Sequence, residues 1–206
     1  MSQFFVIHPE NPQLRLIRHA VEILQKSGVI VYPTDSAYAI GCRLGDKTAI
    51  DRIRQIRRLP DTHNFTLVCR DLSELGTYAR VDNAVYRMIR SVTPGPYTFV
   101  LPATREVPRR LVHPKRKTIG IRVPDNSIVA TLLETLGEPM ITATMTLPGE
   151  EEPMTDPYEM RDLLQQQVDL VIDGGYCGVE LTSVISFEDG VPEVVRVGGG
   201  DVSAFA

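Results

Sequence analysis

The chain has 206 residues, 43% of them hydrophobic and 23% charged, with no tryptophan and a net charge of −4. That balance excludes a chain that is disordered as a whole, and no apolar run approaches the roughly 20 residues needed to cross a bilayer. Three widely spaced cysteines, Cys42, Cys69 and Cys177, argue against a disulfide framework, and the N-terminus has no basic-then-apolar leader, so a cytoplasmic location is expected.

The charge is uneven. Between Arg105 and Arg122 seven Lys/Arg face one acid, a local charge of +6, whereas Glu150 to Asp173 carries −7. A protein that is acidic overall can therefore still present a basic face to a phosphate ligand.

In chain order, Leu14, Ile17, Val21 and Leu24 recur at helical spacing, which predicts a helix over Leu14 to Lys26, and Gly28 ends it. Gly28 to Pro33 reads as a short buried strand running into a turn region. Asp46 caps a helix to about Arg58, bounded by Pro60. Phe65 to Cys69 is strand-like. Helices are expected over Asp71 to Ala79 and over Asp82 to Val92. The sequence Pro94-Gly95-Pro96 is a hard break before a strand at Tyr97 to Leu101.

After the basic loop, Thr118 to Val123 alternates as a strand. Ser127 to Leu136 is a helix, and Met140 to Met145 is a strand. The acidic, proline- and glycine-rich Leu147 to Pro157 is expected as a mobile loop. A helix at Tyr158 to Gln167 and three strands, VDLVID, TSVISF and PEVVRV, complete the chain. This pattern predicts one α/β domain with a mixed, twisted sheet and helices packed on it.

Several chemistries are not indicated. There is no Walker-type phosphate loop and no G-x-G-x-x-G after a strand. Gly198 to Gly200 lie too near the end to open a βαβ unit and read as a turn. None of His8, His19, His63 and His113 pairs with Cys, Asp or Glu at a metal-ligand spacing, so no metal site is expected. No G-x-S-x-G elbow occurs.

Four places do stand out. Thr34, Asp35, Ser36 and Tyr38 follow a buried strand, where polar groups form either a ligand site or a side-chain-capped turn. Among Arg52, Arg54, Arg57 and Arg58, Arg57 lies nearest the buried stripe set by Ile53, and Arg54 and Arg58 face outward together. Thr93 to Ala103 enters a strand through two prolines and can shape a pocket wall. Arg122, in an otherwise apolar strand, either points to solvent or reaches an anion through its forked guanidinium. The loop before it, with Arg109, Arg110, Lys115, Arg116 and Lys117, can follow a duplex nucleic-acid backbone but lacks the aromatics of a single-strand surface.

Taken in order, GVIVYPTDSAYAIGC, TPGPYTFVLPA, TIGIRVPDN, GVELTSVISF and EVVRVGGG resemble the motifs of the YrdC-type threonylcarbamoyl-adenylate synthase family, and their spelling is most like its YciO branch. The resemblance covers nearly the whole chain. It implies a concave, electropositive cavity and ATP with magnesium as the expected cofactor. The implied activity joins threonine, bicarbonate and ATP into threonylcarbamoyl-adenylate and pyrophosphate in tRNA modification. Binding of double-stranded RNA is also implied. Carried over by position, Thr34, Asp35, Ser36, Tyr38, Arg122, Thr182 and Ser183 fall in the substrate site. Arg57, Arg58, Thr144, Thr146 and Arg196 fall in the nucleotide site, and the basic loop in the RNA site.

The sequence also departs from that pattern. The family's K-x-R before a proline is Arg57-Arg58-Leu59 here, its S-x-N is Thr144-Met145-Thr146, and a late aspartate is Ser186. Each lost charge-assisted bond is worth about 1.5–3 kcal/mol, roughly 10- to 100-fold in binding. The expected function is thus a nucleotide- and RNA-binding protein with weak or altered synthase-type chemistry. The alternatives are a competent synthase and an enzyme acting on a different small amine or adenylate.

Overall fold

Residues 1–206 are described by a computed structural model. Four of its six helices begin where a side chain satisfies a free backbone N–H. Helix α1 (Leu14–Gln25) lacks such a cap and is held by its buried stripe of Ile17, Ala20, Val21 and Leu24. Helix α2 (Lys47–Arg57) opens on Asp46, which accepts from the Ala49 N–H at 3.0 Å. The next segment splits into a 3-10 turn, Leu72–Glu74, and a single turn, α3 (Leu75–Tyr78), rather than forming the one helix expected there. Gly76 and Thr77, both weak helix formers, fall inside it. Asp82 caps α4 (Asn83–Val92) and Asn126 caps α5 (Ser127–Leu136), which stops at Gly137 with a φ of 77°. Asp156 caps α6 (Pro157–Leu164). Each of these caps stabilises its helix by about 1 kcal/mol.

Ten strands form one mixed sheet: β1 (Gln3–Val6), β2 (Ile30–Tyr32), β3 (Ala39–Arg43), β4 (Thr66–Val68), β5 (Tyr97–Pro102), β6 (Thr118–Arg122), β7 (Met140–Thr144), β8 (Leu170–Asp173), β9 (Ser183–Ser186) and β10 (Glu193–Arg196). Their order across the sheet is β1-β8-β2-β3-β7-β4-β6-β5-β9-β10. Strands β1 and β3 were not expected. The first is a half-exposed edge without alternation. The second, centrally placed, is buried on both faces and carries no period to betray it.

Alternation along the strands divides the core in two. Val31, Leu67, Phe99, Ile121, Ile141 and Ile185 point to one face, where α2, α4 and α6 pack in the larger cluster. Tyr32, Val68, Met140 and Leu170 point to the other, under α1 and α5. Beyond α5 that second face turns polar. Thr66, Thr98, Gly120, Arg122, Thr142 and Thr144 lie on it, on β4 to β7. A β-carbon at Gly120 would come within 2.8 Å of the Thr66 hydroxyl, so the missing side chain keeps this surface concave. No helix is long and apolar enough to cross a membrane.

The Leu147 to Pro157 stretch, expected as a mobile loop, is pinned at both ends. The Met154 N–H donates to the Met145 carbonyl at 2.9 Å, the Met154 side chain is buried, and Pro157 starts α6. Apolar anchoring of Met154 overrides the loop's acidic composition.

Candidate functional site

The polar part of the sheet floors a cavity of about 410 Å³, walled by Arg57, His63, Thr146, Thr182 and Arg196. Arg122 is its most constrained cation. The Nη2 group donates to Asp35 Oδ1 at 2.5 Å, Ser36 Oγ at 3.0 Å and Thr34 Oγ1 at 3.2 Å. Both members of the ion pair are more than nine-tenths buried. Asp35 also accepts the Asp125 N–H through its second oxygen at 2.8 Å, which joins the loop after β2 to the loop after β6. Thr34 donates to the Ala37 carbonyl at 2.6 Å. The segment after β2 is therefore both a braced turn and the support of Arg122. Arg122 Nε is buried without any partner, a donor free for a ligand.

Arg57 and Arg196 border the same cavity. Arg57 donates to the Thr144 carbonyl at 2.5 Å, and Arg196 donates twice to the Thr182 carbonyl and once to its hydroxyl. Neither has a carboxylate partner, and burial alone pulls both pKa values below the ordinary arginine value. Arg57 Nε is also buried and unpaired. Uncompensated cations with spare donors call for an anion.

His63, which sequence spacing did not single out, also lines this cavity. Burial is the main cause that depresses its pKa, and the nearby Arg57 and Arg54 add to it. Its folded form is thus neutral where the unfolded imidazole, with a pKa of about 6.5, still takes a proton. The unfolded state binds more protons, so this contribution to stability is present above about pH 6.5 and is lost as the pH falls through the depressed value. An anion in the cavity offsets the part of this shift that comes from Arg57 and Arg54. Phosphate-ligand binding near pH 6.5 is therefore expected to take up a proton, and His63→Asn to remove that uptake. Calorimetry in buffers of different ionisation heat reads the difference, and equal uptake by both proteins would discount His63.

Two carboxylates share this basic cavity. Leu147 to Glu150 make a turn closed by the Glu150 N–H on the Leu147 carbonyl, with Gly149 at a φ of 87°, and Glu150 and Glu151 follow at the cavity rim. Their placement depends on the path of the pinned loop, which composition does not reveal. No group of three or more His, Cys, Asp or Glu is arranged to hold a metal ion. Magnesium would be carried in on the ligand phosphates, and Glu150 and Glu151 would add like charge beside them.

Other expected residues lie elsewhere. Ser183, expected beside Thr182 in the substrate site, is 0% exposed. Its hydroxyl accepts from the Gly198 and Gly200 N–H groups and donates to the Gly200 carbonyl. Adjacent strand residues project to opposite faces, so Thr182 meets the cavity and Ser183 fixes the glycine turn. Thr182 in turn hydrogen-bonds Thr98 at 2.8 Å. Tyr38 does line the cavity, with its hydroxyl engaged by Gly174 and Gly175. Arg58 is the exposed left-handed C-cap of α2 and does not line the cavity. Thr144 and Thr146 do line it. Leu59 packs against the larger core. Within the basic loop, Arg110 donates to the Gly45 carbonyl, Arg116 pairs with Glu188 at 3.8 Å, Lys115 is exposed, and Arg109 and Lys117 border a different cavity.

Comparison with known proteins identifies relatives of the whole chain. The model of a family described as telomere recombination (Sua5/YciO/YrdC) matches residues 22–198. The Escherichia coli protein YciO is 60% identical over the full length of both chains, and its crystal structure superposes with a TM-score of 0.96. A threonylcarbamoyl-AMP synthase of Vibrio vulnificus is 28% identical over 161 residues, covering 77% of this chain and 86% of the relative. The crystal structure of P. abyssi Sua5 with L-threonine has the same fold, with a TM-score of 0.87 at 23% identity, over 96% of this chain and 58% of that one. The chain is therefore a member of the Sua5/YciO/YrdC family.

Proposed function

We propose that the chain binds a nucleotide in the sheet cavity and carries weak or altered synthase-type chemistry there. The observation that carries this reading is the convergence of Arg57, Arg122 and Arg196 on one cavity, with two of the three lacking a carboxylate. Relatives named threonylcarbamoyl-AMP synthase support an adenylate as the ligand class. Three features oppose a full synthase. Leu59 lies half-buried against the core and offers no donor, Thr146 offers a hydroxyl in place of an amide, and Glu150 and Glu151 bring negative charge to the cavity rim.

Calorimetric titration with magnesium and ATP tests this, with and without threonine and bicarbonate. ATP binding is expected roughly 10- to 100-fold weaker than a complete ligand set would give. It should be lost in Arg57→Ala and strengthened severalfold in Glu150→Gln/Glu151→Gln. No heat at millimolar nucleotide would remove the nucleotide reading. Strong tightening by threonine and bicarbonate, with pyrophosphate release, would establish a competent synthase instead.

The RNA part of the reading rests on the +6 segment between Arg105 and Arg122. Duplex RNA binding that is unchanged when Arg109, Arg110, Lys115, Arg116 and Lys117 are neutralised would remove that segment as its cause.

A further inference from the structure

The basic segment does not lie along one face. Arg80, Arg105, Arg109 and Lys117 line a second cavity of about 630 Å³, and no Asp or Glu is among the residues around it. This cavity is at the other end of the β5–β6 pair from the sheet cavity. Thr98 and Arg122 border the sheet cavity, whereas Ala103, whose N–H donates to the Lys117 carbonyl, borders this one. Five residues along a strand separate the two openings by roughly 17 Å. They share no lining residue.

Both walls are braced by the backbone. On one side the Arg80 N–H donates to the Pro102 carbonyl, and the Thr104 N–H donates to the Tyr78 carbonyl. On the other, His113 and Thr118 close a small loop. The His113 N–H donates to the Thr118 carbonyl, the Lys117 N–H donates to the His113 carbonyl, and the His113 ring accepts from the Lys115 and Arg116 N–H groups. Lys117 is thereby held at a φ of 57°, a conformation side-chain-bearing residues seldom take.

None of the four cations makes an ion pair inside the protein. Four like charges around one hollow, none of them held in an ion pair, favour a ligand of opposite and concentrated charge. A duplex presents phosphates along a convex rod, which a concave cup does not match, and Arg110 and Arg116 are drawn away to Gly45 and Glu188.

We propose that this cup is a second ligand site, separate from the sheet cavity, and that it takes the di- or triphosphate group of a small molecule. Inorganic tripolyphosphate is the probe, titrated by calorimetry into the full chain carrying Arg57→Ala, which disables the sheet cavity. One saturable site is expected to persist. Adding Arg109→Ala or Lys117→Gly should weaken it about tenfold each, the loss of one charge-assisted bond. Glycine accepts the backbone angle at position 117, so the second variant keeps the fold, and an unchanged circular dichroism melt checks this.

Loss of all tripolyphosphate binding in Arg57→Ala alone would assign the anion to the sheet cavity and overturn the proposal. Binding that survives removal of both Arg109 and Lys117 would do so as well. A duplex RNA of about 16 base pairs that needs these residues and is not displaced by tripolyphosphate would show an extended nucleic-acid surface in place of the cup. These outcomes do not depend on whether the sheet cavity binds a nucleotide.

Discussion

Arg122→Ala is expected to destabilise the fold by about 3–5 kcal/mol and to abolish ligand binding in the sheet cavity. The size follows from what the substitution leaves behind. Asp35, less than a tenth exposed, would keep a charge with the Asp125 N–H as its remaining partner, while Thr34 and Ser36 would each lose a donor. An uncompensated buried carboxylate is among the few single changes that reach this magnitude. Chemical denaturation measures it.

The double variant Asp35→Asn/Arg122→Gln separates stability from binding. It removes both charges together and keeps polar groups of similar shape, so most of the stability should return, because a buried pair replaced as a unit is close to neutral. Ligand binding should not return, since the guanidinium and its free Nε are gone. A loss below about 1 kcal/mol in the single variant, the range of an exposed pair, would refute the buried frame. Wild-type binding by the double variant would refute Arg122 as a ligand contact.

How much of this was legible in the sequence differs from residue to residue. Helix α5 was readable end to end, because Asn126 and Gly137 signal its limits and Ile128, Leu132 and Leu133 its buried side. Helix phase favoured Arg57 over Arg58, but the family motif put both in the nucleotide site, and the left-handed cap that turns Arg58 away carries no glycine to signal it. Strand phase was harder. Thr182 and Ser183 are equivalent as residue types, and only the pairing of Tyr97 with Ser183 and Thr98 with Val184 decides which one meets the cavity. Strand β3 was hidden because residues 39–42 are buried on both faces and follow a polar turn that reads as a site in itself.

The two cavities were less legible still. Which strands lie side by side is a long-range property, and β4 to β7 form one polar floor only through the order β7-β4-β6-β5. The presence of Glu150 and Glu151 there depends on the turn closed at Leu147 and on the bond between Met154 and Met145. The division of the basic segment depends on where Gly45 and Glu188 happen to sit. Net charge by segment reports none of this.

Leu59→Arg with Thr146→Asn is expected to strengthen nucleotide binding by 10- to 100-fold for each ligand restored, at about 1.5–3 kcal/mol per charge-assisted bond. Leu59 follows the left-handed Arg58 at the end of α2, two residues from Arg57, and it is half-buried rather than sealed in the core. An arginine there can lay its methylene stem on the same apolar surface and carry its guanidinium outward. The fold should therefore lose only the packing of the leucine tip. Thr146 already lines the cavity, so an asparagine amide at that position meets the ligand directly. The two carboxylates at the rim set the ceiling of the gain, and adding Glu150→Gln/Glu151→Gln should raise it further. Titration with magnesium and ATP measures the gain, and pyrophosphate release in the presence of threonine and bicarbonate shows whether binding alone was limiting. A folded double variant whose affinity does not move would mean that these two positions are not where the chain departs from a nucleotide site. The altered chemistry would then have to be sought in the Glu150–Glu151 rim, which brings negative charge into a cavity otherwise lined by three arginines.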